Sequence, residues 1–177
     1  MKKYEFTGET KEIRLLFRTA TLHRIRATVA FGIVEVGDLG GWIEKEENLS
    51  HEGKAWVCGD AKVWGNAKVW GNAEVWGNAE VCGDAKVWGN AKVFSASHVL
   101  VIGAIGSRND FTTFYRDKDN EITVKCGCFL GKIDRFLEKV TQTHGDSKYA
   151  LVYRAAVEVA KLQIDLSGEA PKDADEE

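Results

Sequence analysis

The chain lacks any apolar run long enough to cross a membrane, and its N-terminus lacks the apolar segment of a signal peptide. We therefore expect a cytoplasmic protein. Its four cysteines do not form a disulfide framework, because Cys58 and Cys82 fall in separate repeats while Cys126 and Cys128 flank one glycine. A C-x-C pair without a nearby histidine is weak evidence for a metal. The sequence thus predicts free thiols, no metal site and no cofactor.

A strong charge of one sign is also absent, since 24 Lys and Arg stand against 27 Asp and Glu. Residues 1–36 carry seven bases and four acids. That excess is too small for duplex DNA, which requires a larger basic surface. Residues 167–177 are acidic and contain the single proline. We predict that they form a disordered tail.

What the chain has in abundance is a six-residue repeat. Val or Ile occupies every sixth position from Val57 to Ile105, and a small residue stands two places before each. Strand alternation turns both inward, and the following Gly-Asn or Gly-Asp pairs tolerate the positive φ of a sharp corner. Three strands and three corners make a coil of eighteen residues, so nine hexads predict three coils. Ile43 and Leu49 predict one earlier coil, with two extra residues in 50–54.

The hexads in 55–105 resemble the left-handed β-helix of hexapeptide-repeat proteins. That resemblance implies a short triangular prism whose open ends need caps. The blocks GDLGGWIEKEENLS, IGSRNDFTTFYR, VKCGCFLG and THGDSKYA flank the hexads. They are similar to phage- and prophage-encoded hexapeptide-repeat proteins with a C-terminal ββαα cap. This second resemblance covers 37–162 and implies an origin and an architecture, with no established activity.

We predict a mainly β fold: a short left-handed parallel β-helix of three to four coils, an N-terminal β cap and a C-terminal α+β cap. The predicted segments are an N-terminal β cap at 1–36, the β-helix at 37–106, a hairpin plus two-helix cap at 107–166, and the disordered acidic tail at 167–177. Strands are predicted at 3–7, 13–18, 22–29, 111–116 and 122–129. Turns are expected near Gly8 and Thr19, and a helix cap at Gly145.

The eighteen-residue register also stacks the outward residues in rows. One face carries Trp56 and Cys58, then Glu74 and Trp76, then Lys92 and Phe94. Another carries Lys68 and Trp70 beside Lys86 and Trp88. Outward aromatic surface usually marks an interface or a ligand site. The tryptophans are therefore interpreted either as a trimer interface or stabilising ladder, or as a surface that holds a flat ligand.

A polar cluster follows the last hexad. Arg108 offers a fork that matches phosphate, and Ser107 adds a hydroxyl. We expect this loop to lie beside the outward Lys/Trp face, with Cys126, Gly127 and Cys128 lining the same junction. The alternative is an ordinary loop and an exposed hairpin. The predicted ligand-binding residues are Lys68, Trp70, Lys86, Trp88, Ser107, Arg108, Thr113, Tyr115 and Arg116.

The sequence offers no convincing acid–base pair, because neither His51 nor His98 has an evident partner acid. His144 reads as a helix-end residue. We therefore predict a non-enzymatic binding protein, a homo-oligomer with a trimer favoured, that sequesters a small anionic nucleotide-like ligand. The phage resemblance implies a sponge for a host immune signal in the host cytoplasm. The alternatives are an acyltransferase-like hexapeptide-repeat enzyme using coenzyme A and a structural or protein-binding module.

Overall fold

A computed structural model describes residues 2–15 and 18–167. These residues form a mainly β structure with short parallel strands and two C-terminal helices. The predicted disordered tail lies outside the described residues, apart from Ser167. No helix in this part of the chain is long and apolar enough to span a membrane.

The N-terminal segment is one antiparallel hairpin, β1 (Tyr4–Arg14) and β2 (Thr19–Ala27), extended by β3 (Leu39–Ile43). The turn predicted near Gly8 is wrong. Gly8 has φ +92° inside β1, where the register with β2 shifts, so this glycine forms a bulge instead of ending the strand. The predicted second strand at 13–18 is likewise wrong, because its first residues belong to β1. Residues 16 and 17 lie outside the described residues.

The hexads give seven two-residue strands. They are β4 (Trp56–Val57), β5 (Lys62–Val63), β6 (Lys68–Val69), β7 (Glu74–Val75), β8 (Glu80–Val81), β9 (Lys86–Val87) and β10 (Lys92–Val93). Their pairs β4–β7, β7–β10, β5–β8 and β6–β9 are all parallel and join residues eighteen positions apart. The described strands form three separate parallel ladders, and no closed or solenoid sheet is assigned among them.

The predicted inward positions form the core of the repeat region. The valines at positions 57 to 93 and the alanines at 55 to 91 are at most 1% exposed. Backbone bonds tie each repeat to the next turn, as where Trp56 N donates to Ala73 O at 3.0 Å. Corner side chains also stack, since Asn72 Nδ2 donates to Asn90 Oδ1 at 3.4 Å. Small apolar side chains therefore fill a narrow interior bounded by backbone.

The two earlier inward positions follow the same pattern with a longer spacing. Ile43 pairs with Val63 and Leu49 with Val69, each twenty positions on. The two additional residues fall in the loop at 50–54, as the sequence predicted. Asn48, which is fully buried, adds a bond from its Nδ2 to the carbonyl of Ala67 at 2.8 Å.

The last two hexads do not continue the repeat, which corrects the prediction of three full coils. Residues Val99–Ile105 form β11, which pairs antiparallel with β12 (Asp110–Arg116). The Gly-Asn corner is missing after Phe94 and again after Leu100, where Ser-Ala and Val-Ile stand instead. Without corner residues, this β-branched stretch runs on as one longer strand.

The C-terminal part is a four-stranded antiparallel sheet covered by two helices. β13 (Ile122–Cys126) and β14 (Phe129–Lys132) follow β12, and α1 (Ile133–His144) and α2 (Lys148–Gln163) pack behind them. The two predicted helices are confirmed. The single strand predicted at 122–129 is wrong, because Gly127 (φ +54°) turns the chain between β13 and β14.

Candidate ligand-binding site

The N-terminal segment covers three of the six tryptophans. Trp42 and Trp64 pack with Leu22 in a small cluster. Trp56 is 5% exposed, and its ring meets that of Phe31 edge to face at 5.4 Å. The expected outward aromatic surface is therefore reduced by the chain itself. The tryptophans that stay partly accessible are Trp70, Trp76 and Trp88.

The predicted Lys/Trp face forms a surface that we call the Trp88 ledge (Lys68, Trp70, Lys86, Trp88). The rings of Trp70 and Trp88 meet edge to face at 5.2 Å. Lys68 Nζ lies 5.3 Å from the Trp70 ring centroid, and Lys125 Nζ lies 4.9 Å from that of Trp88. Each ring thus faces an ammonium group, so the ledge also combines cations with an aromatic surface.

Three predicted ligand residues prove to be buried in the joint between β12 and the repeats. The Thr113 hydroxyl accepts from Lys86 N at 3.0 Å, and the Tyr115 hydroxyl donates to Trp88 O at 2.8 Å. Arg116 is fully buried, as is Tyr115. We correct the prediction accordingly, because these side chains reach an external ligand only if the joint opens.

Ser107 and Arg108 line a separate cavity, which lies next to the ledge. Lys125 connects the two places, because its Nζ lies over Trp88 and also donates to the carbonyl of Gly127. A Cβ built on Gly127 would stand 3.0 Å from Arg108 Nη1. Lys125 and Gly127 therefore link the ledge to the cavity, but the two places do not form a single pocket.

The sequence did not identify another candidate site, which we call the Trp76 pocket. It is a cavity of about 430 Å³ on the face of β4, β7 and β10. Its lining residues are Phe31, Gly32, Ile33, Val34, Lys54, Trp56, Cys58, Asn72, Glu74, Trp76, Asn90, Lys92 and Lys118. The pocket combines aromatic walls, two stacked amides and three lysines.

Two segments outside the repeats form the walls of the Trp76 pocket. On one side the chain turns back at Phe31, whose N and O both bond to Val34, with Gly32 at φ +57° in the turn. On the other side Lys118 N donates to Asn90 O at 3.0 Å, which fixes the turn after β12 against the repeat corners. Segments from both sides of the repeat region thus meet at this face.

The charge of the Trp76 pocket is positive, with three lysines and one carboxylate in its lining. Lys92 Nζ lies 2.7 Å from Glu74 Oε2 and 5.3 Å from the Trp76 ring centroid. Lys54 and Lys118 are exposed at the rim. The rim lysines therefore bring cations beside an aromatic surface.

Two further groups define the chemistry of the pocket. Burial, followed by the charge of Glu74, raises the pKa of the Cys58 thiol to about 11. The thiol is therefore protonated at neutral pH and is a weak nucleophile and metal ligand. The Nε1 of Trp76 is shielded from solvent and has no hydrogen-bond partner among the described residues.

The structure gives His51 an acidic neighbour that the sequence did not reveal. Its Nε2 lies 3.8 Å from Glu46, while its Nδ1 accepts from Lys3 N at 3.1 Å. The ring also stacks on Tyr4 with centroids 4.3 Å apart. The Nδ1 is therefore held by the backbone, while the Nε2 is buried with no hydrogen-bond partner among the described residues, and burial lowers the His51 pKa. These contacts fit a structural histidine better than a general base.

His98 also has a structural role. It is 4% exposed, and its Nδ1 accepts from Phe94 N at 3.4 Å. Burial and the neighbouring Arg116 lower its pKa. The side chain thus sits neutral inside the molecule.

One acidic cluster has the spacing of a cation site. Asp117, Asp119 and Glu121 bring carboxylate oxygens within 4.8 Å of one another. Lys132 Nζ lies 2.6 Å from Glu121 and contacts the other two carboxylates as well. The ammonium group occupies the place that a metal ion would take, so the cluster is an ion-pair network.

A signal for the Trp76 pocket was present in the sequence, because its floor is the row of Trp56, Glu74, Trp76 and Lys92. The walls came from segments with no repeat.

No protein-family model matches the chain, and a search of curated proteins found no match.

Proposed function

We propose that the protein is a non-enzymatic binding protein for a small, planar, anionic molecule of the nucleotide type, held in the Trp76 pocket. The observation that carries this proposal is the coincidence of three lysines and three aromatic rings around one cavity of about 430 Å³. Aromatic walls suit a base, and ammonium groups at the rim suit phosphates.

Polar groups inside the pocket support orientation of such a ligand. The stacked amides of Asn72 and Asn90 offer donors and acceptors to the edge of a base. Capture is favoured over turnover because His51 and His98 are engaged by the fold and the Cys58 thiol is protonated. The acyltransferase alternative therefore has less support.

The architectural part of the proposal is a short left-handed β-helix with an N-terminal β cap and a C-terminal α+β cap. Parallel pairing at a constant offset of eighteen residues supports it. By resemblance we assign the protein to the phage-type hexapeptide-repeat group. There, in the host cytoplasm, it would serve as a sponge for a nucleotide signal of host defence.

The binding test is calorimetry of the full chain with AMP, ADP-ribose and a cyclic dinucleotide. We expect micromolar binding of at least one of them. Trp76→Leu should weaken it by about tenfold or more, since one stacked base contributes 1–3 kcal/mol, roughly a factor of 5 to 150. Trp88→Leu is the matched control, because the same residue type occupies the equivalent slot outside the pocket.

The control also separates the two candidate surfaces. Loss of binding in Trp88→Leu with retention in Trp76→Leu would place the ligand on the Trp88 ledge. Absence of binding to all three compounds at millimolar concentration would reject a nucleotide ligand.

A second candidate function is self-association through α2, favoured by its exposed apolar face. The residues Val152, Ala155, Val159 and Leu162 follow the 3-4-3 spacing of a helix-pairing seam, and Leu162 is 89% exposed. The occupant we propose is a second copy of the chain, consistent with the homo-oligomer expected above. Light scattering after gel filtration should give a trimer that Val159→Asp dissociates. A monomeric wild type would reject it.

A further inference from the structure

A second cavity lies between the C-terminal sheet and its helices. It has a volume of about 480 Å³ and shares no lining residue with the Trp76 pocket. We call it the Tyr153 cavity and define it by Ser107, Arg108, Cys126, Phe129, Phe136 and Tyr153. It contains two polar groups whose hydrogen-bonding capacity is largely unused.

The first is the hydroxyl of Tyr153. The residue is only 6% exposed, and its one bonding partner in the described chain is the thiol of Cys126, 3.9 Å away. A thiol at that distance is a weak partner for a phenol. A Cβ on Gly106 would stand 1.9 Å from this oxygen, so the hydroxyl reaches its place only because residue 106 is glycine. A buried donor without a good acceptor is costly.

The second is the guanidinium of Arg108. It is exposed at the cavity, and no described residue forms an ion pair or a hydrogen bond with it. The acid that lines the cavity, Asp110, accepts from the backbone N of Phe111 and lies 4.0 Å from Lys86 Nζ. The Arg108 fork is therefore available to a carboxylate from outside.

The body of the cavity is aromatic. The ring of Phe136 lies 5.2 Å from that of Phe129 and 5.6 Å from that of Tyr153. The ring of His144 stacks on that of Tyr153 with centroids 5.8 Å apart. These rings give the cavity an apolar lining close to the two polar groups.

We propose that the Tyr153 cavity is a second binding site, which takes an aromatic carboxylate. The carboxylate pairs with the Arg108 fork and accepts from the Tyr153 hydroxyl, while its ring packs on Phe129 and Phe136. A planar carboxylate matches the fork in two bonds, and the apolar lining favours a hydrocarbon body over a sugar. This site is independent of the function proposed for the Trp76 pocket.

The test titrates the full chain with 2-naphthoate by calorimetry, with 2-naphthylmethanol as the neutral comparison. Arg108→Gln should weaken naphthoate binding by about tenfold or more, because it removes the two bonds of the charged fork, and Tyr153→Phe by about tenfold, because it removes one bond to a charged group. Arg135→Gln, an exposed arginine of α1 outside the cavity, is the matched control and should leave the affinity unchanged.

The outcomes decide the proposal and keep it separate from the nucleotide hypothesis. Naphthoate binding that persists in Trp76→Leu, fails in Arg108→Gln and exceeds that of the alcohol supports the site. Equal affinity of Arg108→Gln and wild type overturns it, and so does equal affinity for the alcohol. Absence of naphthoate binding overturns it as well. Loss in Trp76→Leu alone would assign the ligand to the other pocket.

Discussion

Two glycines at repeat corners provide a test of how closely successive repeats stack. A Cβ on Gly53 would stand 2.5 Å from the carbonyl oxygen of Gly71, whereas a Cβ on Gly83 would meet no atom within 4 Å. Their φ angles are nearly the same, +69° and +64°. Alanine therefore carries a similar backbone cost at both positions but a steric cost only at Gly53.

The size of the difference follows from the contact. At either position the left-handed backbone costs an alanine about 1–2 kcal/mol. At Gly53 the Cβ–O distance must also grow by 0.9 Å to reach the 3.4 Å of ordinary contact. The same Gly71 oxygen accepts from Lys54 N at 2.8 Å, so that shift disrupts a hydrogen bond and costs about 1–3 kcal/mol more. We expect Gly53→Ala to lose about 2 kcal/mol more than Gly83→Ala.

The assay is urea unfolding followed by tryptophan fluorescence, with the midpoint and the slope fitted for each variant. A lower midpoint at an unchanged slope would report lost stability alone. Equal losses for Gly53→Ala and Gly83→Ala would refute the reasoning, because they would mean that the backbones at this corner are not in direct contact.

Burial lowers the pKa of Lys3 to about 8, below its unfolded value of 10.5. Between these two pH values the unfolded chain binds more protons than the folded one, so the free energy of unfolding of wild type should rise with pH by up to about 3 kcal/mol relative to that of Lys3→Met. Unfolding at several pH values checks this, and a difference that does not change with pH contradicts it. Asp117→Ala should cost about 2–3 kcal/mol, since the carboxylate accepts from two backbone amides, a hydroxyl and Lys132; a urea midpoint equal to that of wild type would count against it. Iodoacetamide at neutral pH should modify the exposed Cys128 well before Cys58, and mass spectrometry showing the reverse order would disprove the burial of the Cys58 thiol.

The repeat region could be predicted because its information is local. Each hexad carries its own inward valine, small residue and corner glycine, so spacing alone fixes the pairing at eighteen residues. The antiparallel pairing of Val99–Ile105 was harder to predict, because its partner strand follows a turn that contains no repeat signal. Gly8 misled for a related reason, since a glycine serves a bulge and a turn equally well.

The candidate site was likewise predictable only where it depends on local sequence. The sequence placed Lys92 and Trp76 on one outward face, which the structure turns into the floor of a pocket. One wall of the pocket comes from Phe31, whose position depends on how the N-terminal hairpin folds over the repeats. Tyr115 and Arg116 resembled ligand residues because they are polar and follow a polar loop. Their burial depends on contacts between β12 and the repeats, which spacing cannot predict.

The constant offset between paired strands means that the number of eighteen-residue units sets the distance between the Phe31 turn and Lys118. Insertion of eighteen residues would keep the repeat faces aligned and move the two walls of the pocket apart by one strand spacing, about 4.8 Å. Insertion of six would rotate the C-terminal sheet to the next face and separate the two walls. Adding or removing eighteen-residue units would therefore change the height of the recess without altering the segments at either end.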